Sequence, residues 1–436
     1  MIEYRTLRIA LLGAGTVGAQ VAKLLLEGGD ELGARVGARL ELVGIAVRDL
    51  DAKRTVDLPR ELLTTDAERL VLGADIVVEL LGGIEPAKTL ILKALNSGAD
   101  VITGNKALLA EHGPELFDAA EQVGAQLYYE AAVGAAIPII RPLRESLAGD
   151  RIQRIFGIVN GSTNFILDRM TEHGATKDEA MKLAFELGYL EADPTLDVDG
   201  YDAAQKVAIL AGLAFHTAVP LSAVYREGIG DVTPEVVERA RSLGYVVKLL
   251  GICERVTTAD GLEGVSARVY PALVPQQHPL TAVHGGNNAV FVQAEAAGDL
   301  MFYGAGAGGL QTASAVLGDV VSAARRHIAG GPGVGESTHA KLPLLGIESA
   351  RTRYLITLRV ADEPGVLATI ASIFAEQGTS IETVQQTAAA GADAPTASLV
   401  IGTHHALEAA LAATVEALRA SSVVTDVASV LRIEGA

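Results

Sequence analysis

Two stretches of this 436-residue chain carry residue types at spacings that chemistry requires. The first is Gly13-Ala-Gly15-Thr16-Val17-Gly18, a G-x-G-x-x-G run that follows the β-rich segment 8–12 and opens a helical pattern over 16–26. Glycines so placed allow a tight turn and let backbone N–H groups approach a pyrophosphate at a helix N-terminus, where the helix dipole favours negative charge. In a strand, turn, helix context the motif points to a dinucleotide; the alternative is a glycine-rich turn without a ligand. The end of the next β-rich run, 40–47, bears on which dinucleotide. An acid there holds the ribose 2′-hydroxyl of NAD, whereas arginine accommodates the 2′-phosphate of NADP. Val47 is followed by Arg48, with Lys53 and Arg54 close behind, so NADPH is expected ahead of NADH. The competing reading is a solvated Arg48 paired with Asp49 or Asp51.

The second stretch runs from Glu191 through Asp193, Asp197, Asp199 and Asp202 to Lys206. Gly200 lets the chain turn into a helix that continues to Leu213, which puts Asp202 and Lys206, at i and i+4, on one face. A carboxylate beside a lysine favours the ammonium form, while burial lowers the lysine pKa toward the operating pH. Such a pair can hold an amino-acid substrate and relay a proton. Reduction of an aldehyde needs both a hydride from a cofactor and a proton for the developing alkoxide. Two plainer readings compete. Alternating acids before a glycine resemble a calcium loop, but aligned on Gly200 the first ligand position is Thr195 and the last is Lys206, so that pattern fails. An ordinary surface helix with a salt bridge would use the same residues. Between the two stretches, Thr103-Gly104-Asn105-Lys106 closes the β-rich run 100–103. A lysine at that sheet edge can reach both the nicotinamide region and a substrate oxygen; otherwise it is a surface lysine starting the next helix.

The elements that must position these residues follow from the patterning. Short β-rich runs at 8–12, 40–47, 75–81, 100–103 and 126–129 alternate with helical periodicity, one helix starting after Pro86, which is the rhythm of a Rossmann-type doubly wound parallel sheet over 1–132. Residues 133–310 mix β-rich runs, helices and Gly- or Pro-bearing loops and are expected to form an α+β catalytic and dimerisation domain. A helix over 311–328 is expected to pack back on the first domain, and 329–350, with Gly-Gly-Pro-Gly-Val-Gly, reads as a linker. Residues 351–436 have the order βαββαβ, a ferredoxin-like unit.

Composition narrows the function classes. Apolar residues make up 49% of the chain, yet no apolar run approaches the roughly 18 residues of a membrane span. A net charge of −18 argues against a nucleic-acid partner, which needs clustered Lys and Arg. The opening residues lack the segments of a signal peptide, and Cys253 is the only cysteine, so no internal disulfide is available and a cytoplasmic location is expected. Cys253 lies in the apolar run 249–253, which suits a buried thiol and disfavours covalent thioester catalysis.

Several of these segments carry a resemblance. Glu191-Ala-Asp-Pro, Asp197-Val-Asp-Gly-Tyr-Asp202-Ala-Ala-Gln-Lys206, Gly157-Ile-Val-Asn-Gly-Ser-Thr-Asn-Phe-Ile166, Thr103-Gly-Asn-Lys106 and Tyr129-Glu-Ala-Ala-Val-Gly134 together resemble the homoserine dehydrogenase family over nearly the whole chain. The resemblance implies reversible NAD(P)H-dependent reduction of L-aspartate-4-semialdehyde to L-homoserine, a step toward threonine, methionine and isoleucine. It also implies a role for each residue: Lys206 as proton donor or relay, Asp202 as its partner and a substrate contact, Glu191 as ligand of the substrate amino group, and Lys106 as a contact to both cofactor and substrate. A structural sodium ion is implied at Glu130 and the backbone around Val133, Ala135 and Ile137, although Ala135 and Ala136 stand where many members have glycine. The run from Tyr303 to Ala315 resembles the family's glycine-rich return to the cofactor cleft, implying contact at Gly304 and Gly306; Gln311 replaces a usual proline, and a helix-packing glycine cluster is the alternative. The tail from Tyr354, with Asp362-Glu-Pro-Gly365, resembles an ACT domain, which implies feedback by L-threonine or else a dimerisation module without a ligand. A homodimer or homotetramer is implied. The readings kept beside it are a dehydrogenase of another amino-acid semialdehyde and a non-catalytic ACT-linked binding protein.

Overall fold

The computed structural model describes residues 5–331, 333, 335, 338–388 and 396–435. The first elements along the chain are β1 (Thr6–Leu12), α1 (Thr16–Val36), β2 (Arg39–Ala46), β3 (Leu63–Thr64), α2 (Ala67–Leu72), β4 (Ile76–Glu79), α3 (Ala87–Asn96), β5 (Asp100–Thr103), α4 (Lys106–Val123), β6 (Leu127–Tyr128) and α5 (Ala131–Gly134). Next come β7 (Ile152–Ile158), α6 (Gly161–His173), α7 (Lys177–Glu186), α8 (Thr195–Val198), α9 (Tyr201–Phe215), β8 (Tyr225–Arg226), α10 (Pro234–Ser242), β9 (Tyr245–Thr257), β10 (Glu263–Pro275), β11 (Asn287–Ala294), β12 (Gly298–Ala305) and α11 (Gly309–Ala329). The last group is β13 (Arg351–Ala361), α12 (Val366–Glu376), β14 (Ile381–Ala388), β15 (Thr396–Thr403), β16 (Ala406–Leu407), α13 (Glu408–Ala420) and β17 (Val424–Ile433). Two compact units result: Met1–Gly161 with Gln205–Ser222 and Gly286–Lys341, and Ser162–Ala204 with Ala223–Gly285 and Leu342–Ala436.

In the first unit six parallel strands stand in the order β3-β2-β1-β4-β5-β6. Every residue of β4 and β5 is buried, as expected of parallel strands covered on both faces. Strand order reverses between β1 and β4, and ligands of such sheets bind beyond the carboxyl ends of the strands at that reversal. Helix α1 runs to Val36, past the expected stop near Leu26, because Leu32 and Val36 prolong its apolar face and packing overrides the helix-weakening Gly28-Gly29 pair. The same apolar cluster takes in Ala313, Val316, Val320 and Ala324 of α11, so a helix far along the chain completes the cover of this sheet. Strands β7, β11 and β12 form an antiparallel ladder in this unit, with β11 in the middle.

The second unit is built on β9 and β10, a long antiparallel pair, followed across the sheet by β17, β13, β15 and β14. Elements β13 to β17 form the βαββαβ unit, with Ile356, Leu358, Ile370, Phe374, Leu399 and Leu411 in one apolar core. Its last strand pairs in parallel with β10 through Ala272↔Arg432 and Leu273↔Ile433, so the ferredoxin-like sheet continues that of β9 and β10. Among the described residues no helix is long and apolar enough to cross a membrane.

Candidate active site

The glycine run separates into two kinds of position. Gly13 has φ +97, and a Cβ there would lie 2.7 Å from the Leu80 carbonyl oxygen; a Cβ on Gly18 would overlap the carbonyl oxygen of Gly13. Both are demanded by backbone packing. At Gly15 a Cβ would meet nothing within 4 Å. Gly15 is also the N-cap of α1 and supplies no side-chain cap, so no capping side chain takes up the first N–H groups of this 21-residue helix. That is what a pyrophosphate requires, and these residues fit a dinucleotide. The start of α11 arrives at the same place, since a Cβ on Gly309 would lie 2.8 Å from the Thr16 carbonyl oxygen.

Beyond the end of β2, Arg48 and Lys53 are exposed, and neither has a hydrogen bond or ion pair among the described residues. The nearby acids are engaged elsewhere. Asp51 pairs with Arg60 at 2.8 Å, and Asp49 accepts the Asp51 backbone N–H at 2.8 Å. Arg54 is tied back to the carbonyls of Ala52 at 2.9 Å and Leu50 at 3.3 Å. The end of β2 therefore presents two uncommitted cations.

At the carboxyl ends of β4 and β5 a buried network fixes the start of α4. The Thr103 hydroxyl donates to Glu79 at 2.6 Å, the Leu81 N–H donates to the same carboxyl at 2.7 Å, and the Asn105 N–H donates to Thr103 Oγ1 at 3.0 Å. Asn105 also donates from Nδ2 to Gly83 O at 2.6 Å and caps α4 by accepting from the Leu108 N–H at 3.2 Å. Burial pushes the Glu79 carboxyl above the usual carboxylate range. Lys106, half-buried, is the first residue of α4. A cation at the positive end of a helix dipole forfeits about 0.3–1 kcal/mol, so helix stability does not account for a lysine there.

Lys206 is 7% exposed and donates to the Val159 carbonyl oxygen at 2.6 Å. Asp202, one turn earlier on α9, is 8% exposed, so neither residue belongs to a solvated helix face. Helices α4 and α9 also line an apolar cavity of about 310 Å³ through Leu109, Gly113, Phe117, Ala208, Ile209 and Gly212, but neither Lys106 nor Lys206 is among its lining residues. Glu191 is exposed on the segment between α7 and α8, where Asp193 accepts the Thr195 N–H at 3.1 Å.

Glu130, Val133, Ala135 and Ile137 lie in one turn, with Ala135 at φ 51. The Glu130 carboxylate is taken up by donors: the N–H groups of Ile139 at 2.6 Å, Ile140 at 2.8 Å and Arg141 at 2.9 Å, and Arg141 Nε at 3.0 Å. A cation at this turn would have to be held by main-chain carbonyls. Among the described residues no group of three or more His, Cys, Asp or Glu could hold a metal. Gly304 approaches Ile137, and a Cβ on Gly306 would overlap the carboxamide of Asn288.

Three polar residues of this unit escaped the sequence analysis. Glu79 ends an all-apolar strand, a signal that was available. Asn288 is 1% exposed, and neither polar atom of its carboxamide has a hydrogen-bond partner among the described residues; its trace in sequence is the Asn287-Asn288 pair before an apolar run. Asp319 of α11 accepts the Glu130 N–H at 2.8 Å and lies 3.6 Å from Arg141, and burial raises its pKa to about 7. Nothing in the helical pattern around Asp319 distinguishes it from a solvated acid.

Comparisons with known proteins agree with this geometry. The family model for homoserine dehydrogenase matches residues 138–321, that for the homoserine dehydrogenase NAD binding domain matches 13–130, and that for the ACT domain matches 354–421. A homoserine dehydrogenase of Corynebacterium glutamicum is 52% identical over 428 residues, covering 98% of this chain and 95% of its own. The crystal structure of a homoserine dehydrogenase from Thiobacillus denitrificans superposes with a TM-score of 0.91 at 39% identity, over 99% of this chain and 98% of that one. A hyperthermophilic archaeal homoserine dehydrogenase in complex with NADPH superposes with a TM-score of 0.62 at 29% identity, over 75% of this chain and 99% of that one. Identity at this level across both full chains, with cofactor and catalytic regions both matched, shows that the chain belongs to the homoserine dehydrogenase family, NAD(P)-dependent oxidoreductases acting on a CH–OH group.

Proposed function

We propose that the chain interconverts L-aspartate-4-semialdehyde and L-homoserine with NADPH ahead of NADH, and that Lys206 handles the proton. The observation that carries this is the burial of Lys206 together with its bond to Val159, which holds the ammonium away from bulk water and one helical turn from the carboxylate-bearing Asp202. The cofactor, when bound, supplies or accepts the hydride. In the reducing direction Lys206 gives a proton to the developing alkoxide, and Asp202 favours the charged lysine and contacts the substrate. Lys106, at the sheet edge beyond β5, orients the substrate oxygen beside the nicotinamide, and Glu191 receives the substrate amino group. Gly13, Gly15, Thr16, Val17 and Gly18 cradle the pyrophosphate, Arg48 and Lys53 meet the 2′-phosphate, and Gly304 and Gly306 border the cofactor. NADPH in the archaeal relative and the uncommitted cations after β2 support the cofactor choice.

The same proposal includes L-threonine as effector of the ACT domain, where Gly365 at φ +96 opens the turn into α12. It includes a structural sodium ion held by the carbonyls of Glu130, Val133, Ala135 and Ile137, a cytoplasmic location, and a homodimer or homotetramer. The test is the initial rate of NADPH oxidation with L-aspartate-4-semialdehyde, repeated with NADH and with added L-threonine. Turnover favouring NADPH and a threonine-dependent rate support the reading. A folded, NADPH-binding protein without turnover would overturn it.

A further inference from the structure

The second unit holds a chain of polar contacts, buried at Glu408 and partly exposed toward Arg226, that the reaction does not use, and it ends at the first turn of α9. Gly200, at φ +79, turns the chain into that helix. The residue before it, Asp199, accepts a hydrogen bond at its carbonyl oxygen from Arg226, and the same guanidinium lies 3.4 Å from the centroid of the Tyr201 ring. Gly228 packs so tightly here that a Cβ would overlap the Val198 carbonyl oxygen, which also accepts the Ile229 N–H at 2.9 Å. Residues 198–201 are thus gripped by β8 and the residues after it. That segment is anchored to β10 through the pairs Arg268↔Tyr225 and Val269↔Arg226, and by the Glu227 N–H donating to Val269 at 2.8 Å.

The far end of the chain is Arg432 on β17. Its Nη1 is 2.9 Å from Glu227, its Nη2 is 2.6 Å from Glu408, and its Nε donates to Glu408 at 2.8 Å. Glu408 is the first residue of α13 and is itself held by the hydroxyls of Thr352 and Tyr354, each at 2.6 Å. Tyr225 donates its hydroxyl to Glu227, and the Arg432 guanidinium also lies 4.5 Å from the Tyr270 ring centroid. One guanidinium is therefore shared by two carboxylates, one on a helix of the ACT domain and one beside the residues that grip the start of α9. Arg432 and Glu408 are poorly solvated while Glu227 is partly exposed, so the two carboxylates compete for one cation and a shift of either changes how well the Arg432 charge is compensated.

We propose that Arg226 is a positioning residue for the first turn of α9, and that the Glu408–Arg432–Glu227 bridge is the link through which the ACT domain sets the position of Asp202. The proposal rests on the reading of Asp202 and Lys206 as reaction residues. A ligand that shifts α13 against β17 then alters substrate affinity without approaching the substrate, provided it favours one arrangement of the bridge.

The test uses the full chain, assayed as L-homoserine oxidation with NADP⁺. E227Q and E408Q, which preserve shape, should each raise KM for L-homoserine by roughly 5- to 30-fold and leave the Kd for NADPH unchanged, and the double variant should be no worse than the single ones. R226M should raise the same KM, with R226K recovering part of the loss; a merely structural role would lower Tm and leave KM alone. Should R226M fail to fold, E227Q, E408Q and R226K carry the test. Values of KM and kcat for E227Q, E408Q and R226K all near those of the unaltered enzyme, with K206A inactive, would overturn the proposal while sparing the reading of α9. Near-normal turnover by folded K206A would overturn that reading and the proposal with it.

Discussion

The Lys206 ammonium and the Val159 carbonyl oxygen are 2.6 Å apart, a bond that ties the middle of α9 to the residue just beyond β7. A neutral carbonyl positions an ammonium without neutralising it. An ammonium carries three N–H donors, and this bond fixes the direction of one of them.

Replacing Lys206 by methionine keeps the length and apolar stem of the side chain and removes the proton. The expected outcome is a fall in kcat of about 10²- to 10⁴-fold, with NADPH binding by fluorescence titration and the Tm little changed. A kcat near normal in the folded variant would remove Lys206 from the mechanism.

The two kinds of glycine in the run 13–18 should part company on substitution. Gly18→Ala forces a methyl onto the Gly13 carbonyl, so a loss of stability of several degrees in Tm is expected before any question of binding. Gly15→Ala meets only open space, so its Tm should match that of the unaltered protein while NADPH affinity falls by roughly tenfold or more. Equal affinity in Gly15→Ala would show that the pyrophosphate does not sit against α1.

Arg48 should control the choice between the two nicotinamide cofactors. A charge-assisted hydrogen bond contributes about 1.5–3 kcal/mol, so Arg48→Ala should raise KM for NADPH by roughly 10- to 100-fold and leave KM for NADH nearly unaltered. Lys53→Ala should act in the same direction with a smaller effect. If the ratio of the two KM values does not move in either variant, the 2′-phosphate is read elsewhere.

Asp319 predicts a pH dependence of stability. Burial raises its folded pKa to about 7, well above the ordinary carboxylate range, so its contribution to stability is fully present below the unfolded value and is lost as pH rises through about 7. Asp319→Asn keeps an acceptor for the Glu130 N–H and does not ionise. Its Tm should therefore decline less than that of the unaltered protein across that window; parallel Tm profiles would show that Asp319 does not titrate there.

How far the fold could be read in advance depended on how local each signal was. The run 100–103 matches β5 residue for residue, and the βαββαβ order expected for the tail is the order of its main elements, because period-2 and period-3.6 patterns are short-range properties. Helix α1 runs past the expected end near Leu26 because its apolar face packs on the sheet and on α11, and the latter lies far along the chain. In the candidate site, Gly13 to Gly18, Lys106, Asp202 and Lys206 could be singled out by type and spacing. Asn288 and Asp319 could not be, since each is distinguished by burial and by its surroundings at distant positions, whereas Glu79 did carry a local signal as the acid that ends an apolar strand.

The sequence by itself determined the order of the elements, the glycine turn at the head of α1, the cations after β2, and the one-turn spacing of Asp202 and Lys206, all of which follow from residue types a few positions apart. Only the tertiary structure decided that Lys206 is buried against Val159, that the Glu130 carboxylate is consumed by N–H donors, and that Arg432 is shared between Glu227 and Glu408. The physical reason is that desolvation and charge pairing depend on which distant segments meet, and helix or strand periodicity carries no record of that meeting.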